Sequence, residues 1–225
     1  VPERNVLLLP DSVSDATGAL LTDAGAVSFH TIRRLRPQPG DSIVVVGVGG
    51  LGHCTLRYLS LIKGLTVIAV DRDPERLAAA TAAGAHYTVV ANGADTGERV
   101  REITAGRGAD YAIDHSASAS GVETAFDCVR LRGTVAVTSC DAGTFALPLS
   151  RFSLGEYTVV GSHAASRGEL ETALDLAARG HVRFDDMVTH RLRLSDLPHA
   201  LDLLAGRTRP TGSPPIRMLI TDFAS

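Results

Sequence analysis

The sequence predicts an α/β fold built on a doubly wound parallel sheet. Short apolar runs rich in β-branched residues, such as Ile43–Val46, recur along the chain and are too short to be helices. Runs of this kind are typical of strands buried on both faces. Segments with helical spacing of apolar residues lie between them, and Gly or Pro turns separate the two kinds of segment. This alternation, over about residues 40–163, indicates consecutive β-α-β units.

The order of elements follows from these patterns. The sheet strands are predicted at Ile43–Val46, Thr66–Val70, Tyr87–Val90, Tyr111–Asp114, Gly133–Ser139 and Thr158–Gly161. The helices between them are predicted at Leu51 to about Lys63, Pro74–Ala83, about Glu98–Thr104 and Ser120–Arg130. An extended lead-in and two helices, the second ending before Pro37, precede the sheet. A helix at Arg167–Arg179, a strand at Val188–Leu194, a helix at Leu197–Ala205 and a strand at Ile216–Ile220 follow it.

Three regions are predicted from this order. Residues 1–35 form a hinge segment, residues 36–163 the sheet domain, and residues 164–225 a second, smaller unit that is too small to bury a core alone. We therefore expect the chain ends to form a partial second unit that packs on something else.

Composition excludes several classes of function. The chain is 44% hydrophobic and 21% charged, as expected of a soluble globular protein. Its net charge of −3 gives no electrostatic reason to expect a nucleic acid or an anionic membrane as a partner. Cys54, Cys128 and Cys140 form no C-x-x-C pair, and no secretory signal is recognisable. These features favour the cytoplasm.

The motif that carries most chemistry is Gly47-Val48-Gly49-Gly50-Leu51-Gly52, which reads G-x-G-x-x-G between the first strand and the first sheet helix. Glycines allow a tight turn and close approach of a pyrophosphate, and a helix N-terminus offers unpaired N–H groups. Asp71 ends the next strand, where a carboxylate accepts hydrogen bonds from an adenosine ribose. The pattern favours a Rossmann dinucleotide site at Gly47, Gly49, Gly50, Leu51, Gly52 and Asp71. The alternative is a structural turn that binds nothing, or a site that has lost its function.

His115 and Ser116 follow directly after the predicted strand Tyr111–Asp114. This type of sheet binds ligands at the carboxyl ends of its strands. Both residues are therefore candidate cofactor contacts.

Five segments resemble the zinc-containing, medium-chain alcohol dehydrogenase family, and most closely its bacterial NAD-dependent secondary alcohol dehydrogenases. They are LLTDAGAVSFHTI (20–32), RPQPGDSIVVVGVGGLGH (36–53), VIAVDRDPERLAAATAAGA (67–85), GRGADYAID (106–114) and IRMLITDF (216–223). The resemblance implies hydride transfer between an alcohol and NAD, assisted by a zinc ion that stabilises the alkoxide. It also implies that residues 1–35 include a remnant of a catalytic domain, that residues 36–163 are the NAD-binding domain, and that residues 164–225 return to the catalytic domain. The molecule is then expected to be a dimer or tetramer paired through Thr158–Gly161.

The resemblance also implies roles for single residues. Asp71 would hold the ribose and favour NAD over NADP, and Arg72 and Arg76 would weaken that preference. Arg76 matches a basic residue near the ribose, and Arg217 resembles the arginine that meets the pyrophosphate. Either arginine could instead be a solvated surface charge.

Asp23 falls where the family places a third zinc ligand, with a helix cap at the hinge as the alternative reading. The zinc-bearing domain that supplies the other ligands in the family is not recognisable in this sequence, and one carboxylate cannot hold a catalytic zinc. His53 and His30 are interpreted as packing residues and Cys54 as a buried small apolar residue. Cys128 and Cys140 have no recognisable partner.

Three functions remain open at this point. The first is an NAD-dependent zinc-type alcohol dehydrogenase represented by its cofactor domain and C-terminal segment. The second is a truncated protein that binds NAD(H) without catalysis. The third is a metal-free reductase of the quinone-reductase type, against which Asp23 argues.

Overall fold

The computed structural model describes residues 2–93, 95–138, 143–205, 207–208 and 215–222. Its centre is a parallel sheet of six strands in the order β3-β2-β1-β4-β5-β6. The strands are β1 Ser42–Val46, β2 Thr66–Asp71, β3 Tyr87–Val90, β4 Ala109–Asp114, β5 Val129–Val137 and β6 Thr158–Gly161. The doubly wound Rossmann sheet predicted from the sequence is thereby confirmed.

Helices cover both faces of this sheet. They are α1 Asp15–Leu20, α2 Ala26–Leu35, α3 Gly50–Leu59, α4 Pro74–Ala82, α5 Asp95–Ile103, α6 Ala119–Cys128, α7 Leu149–Gly155, α8 Arg167–Ala178 and α9 Leu197–Leu204. A π-helical turn, Leu21–Gly25, joins α1 to α2. Two further strands, β7 Val188–Arg193 and β8 Arg217–Asp222, form a separate parallel pair.

Strand β1 shows why the sheet needs helices on both faces, because all five of its residues are buried. Ile43 and Val45 join one apolar cluster, which side chains of α2, α3, α4 and α8 complete. Val44 and Val46 point to the opposite face and pack with residues of α5 and α6. A continuous β-branched run is therefore what this position requires.

The structure differs from the sequence prediction around the end of α6. The predicted helix Ser120–Arg130 ends at Cys128, and β5 begins at Val129 rather than at Gly133. Arg130 lies in the strand because its Nε donates to the Asp110 carboxylate on the neighbouring strand at 2.6 Å. Helix α7 was not predicted at all, since its seven residues expose Leu149 and Leu154 and show little amphipathic pattern. Ser139, the predicted end of β5, lies outside the described residues.

The C-terminal region is only partly separate from the main core. Helix α8 contacts α2, and its Ala173 and Ala177 are buried in the same cluster as Ile43. His30 on α2 contacts both carboxylate oxygens of Glu169 on α8 at 3.0 Å through Nδ1. Among the described residues, no helix is long and apolar enough to cross a membrane.

Glu169 gives the packing of α8 on α2 a defined pH dependence. Burial alone raises the pKa of Glu169, but hydrogen bonds from the Ser166 backbone, from His30 and from the Ser166 hydroxyl outweigh it and lower that pKa to about 2. Because this value lies below that of the unfolded chain, the stabilisation is complete above about pH 5 and declines as pH falls toward 2.

We expect Glu169→Gln to lower the free energy of unfolding by about 1–2 kcal/mol at pH 7, because a charged acceptor is lost. The difference from the wild type should shrink below pH 5, as followed by urea denaturation at several pH values. The matched control is Glu171→Gln on the same helix, whose carboxylate pairs with Arg167 at an exposed position; it should change stability by less than about 0.5 kcal/mol. A constant difference between pH 7 and pH 3.5 would contradict this assignment.

Candidate functional site

The carboxyl end of β1 is the point at which the sheet changes direction, because β2 lies on one side of it and β4 on the other. Chain segments leaving these strands diverge, and a cleft of about 150 Å³ opens between them. Ligands bind at this position in doubly wound sheets. The cleft is lined by Val46, Gly47, Gly49, Val70, Asp71, Arg72, Arg76, Ala91, His115, Ser116, Ser118, Ser120, Gly121 and Thr124.

The glycine motif forms the floor of the cleft, and its backbone path is possible only because glycine has no side chain. Gly47 has a φ of +83°, and a Cβ there would lie 2.8 Å from the Ser116 backbone. A Cβ at Gly52 would lie 2.3 Å from the Gly47 carbonyl oxygen. Both distances are far below van der Waals contact, so these two positions require glycine for the turn from β1 into α3 to form.

Asp71 ties the second strand to this turn. Its Oδ2 accepts a hydrogen bond from the Val48 backbone N–H at 2.8 Å, and its Oδ1 accepts one from the Asp73 backbone N–H at 2.9 Å. The carboxylate is therefore fixed at the end of β2 and remains half-buried at the edge of the cleft. The sequence prediction placed it here by spacing alone.

Positive groups gather around the beginning of α3. The Arg217 guanidinium, from β8, lies 2.2 Å from the position that a Cβ of Gly50 would occupy, as measured to Nε. That Nε is buried and has no hydrogen-bond partner within the described part of the chain. Arg76 Nη1 lies 3.8 Å from the corresponding point of Gly49, and Arg72 is exposed at the cleft. A buried guanidinium nitrogen without a partner beside a helix N-terminus is a group that an anion would satisfy.

His115 lies in the cleft wall, but its ring nitrogens are both used internally. Nδ1 contacts Thr138 Oγ1 at 2.8 Å, and Nε2 contacts Thr55 Oγ1 at 2.8 Å. Because the Thr138 hydroxyl donates to the Asp114 carbonyl, we assign the neutral tautomer in which Nδ1–H donates to Thr138. Burial lowers the pKa of His115 to about 3. The ring thus joins α3 to the ends of β4 and β5.

Ser116 was named from the sequence, but Ser118, Ser120 and Thr124 were not. The Ser116 hydroxyl donates to Asp114 Oδ1 at 2.6 Å, and the Ser118 hydroxyl caps α6 by accepting from the Gly121 N–H at 3.1 Å. These residues line the same cleft. The alternation Ser116-Ala117-Ser118-Ala119-Ser120 was the sequence signal that could have identified them.

Asp23 lies within the π-helical turn of a continuous helical segment, so it is not the helix cap considered from the sequence. Its side chain is exposed. Burial raises the pKa of the Cys54 thiol to about 12, and the Asp23 charge acts in the same direction. Asp23 thus lies near the beginning of α3. Single π-turns inside helices are frequent at functional sites.

The described residues do not form a complete metal site. No three of their His, Cys, Asp and Glu side chains lie close enough together to hold an ion. A zinc ion needs at least three protein ligands, so Asp23 alone does not fit one.

The remaining histidines and cysteines named from the sequence, so far as the structure describes them, contribute to packing rather than to the cleft. His53 is buried, and its Nδ1 contacts the Gly49 carbonyl at 3.0 Å, which supports the turn below the cleft. His30 pairs with Glu169, in agreement with a packing role. Cys54 and Cys128 are free and buried. Cys140 lies outside the described residues.

A six-stranded sheet in this order, with a glycine turn and an acidic residue at the switch point, defines a Rossmann fold. The family model described as "Zinc-binding dehydrogenase" matches residues 50–179, which is more than half of the chain. The chain belongs to this zinc-binding dehydrogenase family.

Individual relatives agree with this assignment. An alcohol dehydrogenase of Moraxella sp. is 32% identical over 78% of this chain and 51% of its own length. An NAD-dependent alcohol dehydrogenase of Sulfurisphaera tokodaii is 28% identical over 91% of this chain and 58% of its own. The solved alcohol dehydrogenase of Thermus sp. ATN1 superposes with a TM-score of 0.85 at 26% identity, covering 92% of this chain and 61% of that one. The chain thus spans about half to three-fifths of the length of these relatives.

We expect Gly52→Ala to destabilise the fold by about 2 kcal/mol or more, because its Cβ would meet a backbone oxygen that cannot move aside alone. Gly168→Ala is the matched control, since a Cβ at this position of α8 meets nothing within 4 Å; it should stabilise by about 0.4–1 kcal/mol. Thermal and urea unfolding of both variants measure this. Equal effects of the two substitutions would show that the close approach at Gly52 is not a constraint.

Proposed function

We propose that this chain provides the NAD-binding part of a zinc-type alcohol dehydrogenase, which transfers hydride between an alcohol or ketone substrate and the nicotinamide. The observation that carries the proposal is that the glycine turn and the Asp71 carboxylate line one cleft at the switch point, with the Arg217 guanidinium beside Gly50 in the first turn of α3. Family membership and the NAD-dependent relative support it.

Each group in the cleft has a part in this function. The beginning of α3, with Arg217 and Arg76 beside it, would balance the charge of the pyrophosphate. Asp71 would accept hydrogen bonds from the adenosine ribose, and its charge would oppose a 2′-phosphate. Leu51, in the first turn of α3, and Arg72, exposed at the cleft, would complete the dinucleotide contacts. His115 and Ser116 contribute to the wall; the ring nitrogens of His115 remain engaged with threonines.

For zinc to take part in this reaction, it would need protein ligands in addition to Asp23. A second candidate function is NAD(H) binding without catalysis, which the groups that line the cleft would support by themselves. Protein purified from its native source separates the two. Bound zinc and an intact mass above 23.6 kDa support the dehydrogenase, whereas zinc-free protein of this mass that binds NADH without turnover supports the second function. We also propose a cytoplasmic location, from the free state of Cys54 and Cys128.

The chain should bind NADH, and Asp71→Asn should change its preference between cofactors. Asparagine keeps the size of the side chain but removes the charge, so NADH binding should weaken by about tenfold while NADPH binding weakens less or improves. Titration followed by nicotinamide fluorescence measures both constants. Failure of the wild type to bind either cofactor would overturn the proposed function, and equal weakening of both would remove Asp71 from the ribose site.

We propose further that two copies pair through β6, in a dimer or a tetramer. Strand β6 is an edge of the sheet, Val159 is exposed on it, and Leu149 and Leu154 of the adjoining α7 are 83% and 81% exposed. An open edge beside apolar residues is a pairing surface.

Light scattering at micromolar concentration should therefore give at least twice 23.6 kDa. Val159→Lys should shift the protein to the monomer, because it places a charge at the centre of the paired edge. Leu204→Lys, on the exposed face of α9 away from the sheet edge, is the matched control and should leave the mass unchanged. A monomeric wild type would contradict the pairing.

A further inference from the structure

We propose that the wall formed by the β4–α6 turn selects the base of the bound dinucleotide, by presenting hydrogen-bond acceptors to the 6-amino group of adenine. This inference rests on the proposed function, because it concerns the adenosine end of the same cleft. It assigns base selectivity to Ser120 and Thr124, which line the cleft beside Ser116 and Ser118.

The direction of the hydroxyl protons follows from a chain of contacts that begins at Asp114. This carboxylate is fully buried, and its Oδ1 accepts from the Ser116 hydroxyl at 2.6 Å and from the Ser116 N–H at 3.1 Å. A carboxylate has no proton to return, so the single proton of the Ser116 hydroxyl points inward. The Ser116 oxygen can then only accept from its next neighbour.

The same reasoning applies to the next two serines, Ser118 and Ser120. Ser118 Oγ lies 3.1 Å from Ser116 Oγ, and it must donate there because the Ser116 proton is already used. Ser120 Oγ lies 3.3 Å from Ser118 Oγ and in turn donates to it. The Ser118 oxygen also accepts from the Gly121 N–H. Every proton of this chain is therefore directed toward Asp114.

The outer end of the chain consequently presents lone pairs rather than protons. Ser120 is exposed, and its oxygen has used its proton toward Ser118. Thr124, one turn further along α6, donates its hydroxyl proton to the Ser120 carbonyl at 2.8 Å. Both residues line the cleft, so its wall carries two hydroxyl oxygens, one helical turn apart in sequence, whose protons are already used. Hydrogen bonds along such a chain polarise one another, which strengthens the outward acceptors.

A surface of this kind favours a ligand that carries N–H donors at this point. The 6-amino group of adenine supplies two, whereas the 6-oxo group of hypoxanthine is an acceptor and would face two further acceptors. The loss of one hydrogen bond and the unpaired acceptor together correspond to about a tenfold difference in affinity. The dinucleotide containing adenine should be selected by that factor.

The experiment compares NADH with reduced nicotinamide hypoxanthine dinucleotide, using isothermal titration calorimetry on the full chain. The wild type should bind the hypoxanthine form about tenfold more weakly. In Ser120→Ala and Thr124→Val the ratio of the two affinities should fall to about twofold or less, with most of the change in NADH binding. A selectivity ratio does not respond to a loss of fold that weakens both ligands alike.

Thr172→Val is the matched control. Thr172 on α8 makes the same contact as Thr124, donating to the carbonyl four residues earlier at 2.8 Å, but it lies outside the cleft. The ratio of the NADH affinity to the affinity for the hypoxanthine form should be the same in Thr172→Val as in the wild type. Circular dichroism melting of all variants confirms that they are folded.

The outcomes separate this inference from the proposed function. A wild type that binds neither dinucleotide overturns both. A wild type that binds NADH and the hypoxanthine form equally well leaves NAD binding in place and overturns the base selectivity. Variants that weaken both ligands by the same factor would assign the acceptors to a ribose hydroxyl and likewise overturn it. Selectivity that persists in both variants would show that another part of the cleft reads the base.

Discussion

Two close backbone approaches occur where β1 passes into α3, and the rest of the site depends on them. Gly47 lies against the Ser116 backbone, and Gly52 lies against the Gly47 carbonyl. This approach lets the chain leaving β1 pass close to the segment after β4, with the Val48 N–H directed at Asp71. The turn therefore holds three strand ends in one arrangement. A methyl group at either glycine would separate groups that the cleft needs together.

Polar groups around the cleft fall into two sets that behave differently. The inner set is satisfied within the fold: His115 lies between Thr55 and Thr138, and Ser116 donates to Asp114. Satisfied buried networks make a region rigid. The outer set is not satisfied, since Arg217 has a buried Nε without a partner among the described residues. A rigid inner layer below unsatisfied charges is the arrangement expected of a binding site, because the free energy of pairing them is gained only when a ligand arrives.

Much of this could be predicted from the sequence, and the parts that could not have physical reasons. The sheet and the glycine turn follow from strong local signals, namely buried β-branched runs and a motif that only one backbone path satisfies. The predicted start of β5 was wrong because Asp110 holds Arg130 in the strand, and this contact joins distant parts of the sequence. The hydrogen bonds of the His115 ring could not be predicted for the same reason. Its partners Thr55, in α3, and Thr138, directly after β5, are distant from it in the sequence. Helix α7 was missed because it buries little and so lacks the periodicity by which helices are recognised.

The C-terminal segment contributes a positive charge at the beginning of α3. Arg217 belongs to β8, which pairs with β7 outside the main sheet, yet its guanidinium lies over Gly50 in the first turn of α3. Helix α8, which precedes this pair, is held to α2 by Glu169 and His30, and α2 continues directly from the turn that carries Asp23. The sheet domain and the C-terminal segment therefore supply charges to the same place. Fixing α8 on α2 and placing Arg217 over the glycine turn are linked steps, so a cofactor bound at Gly50 would stabilise the C-terminal segment together with the sheet.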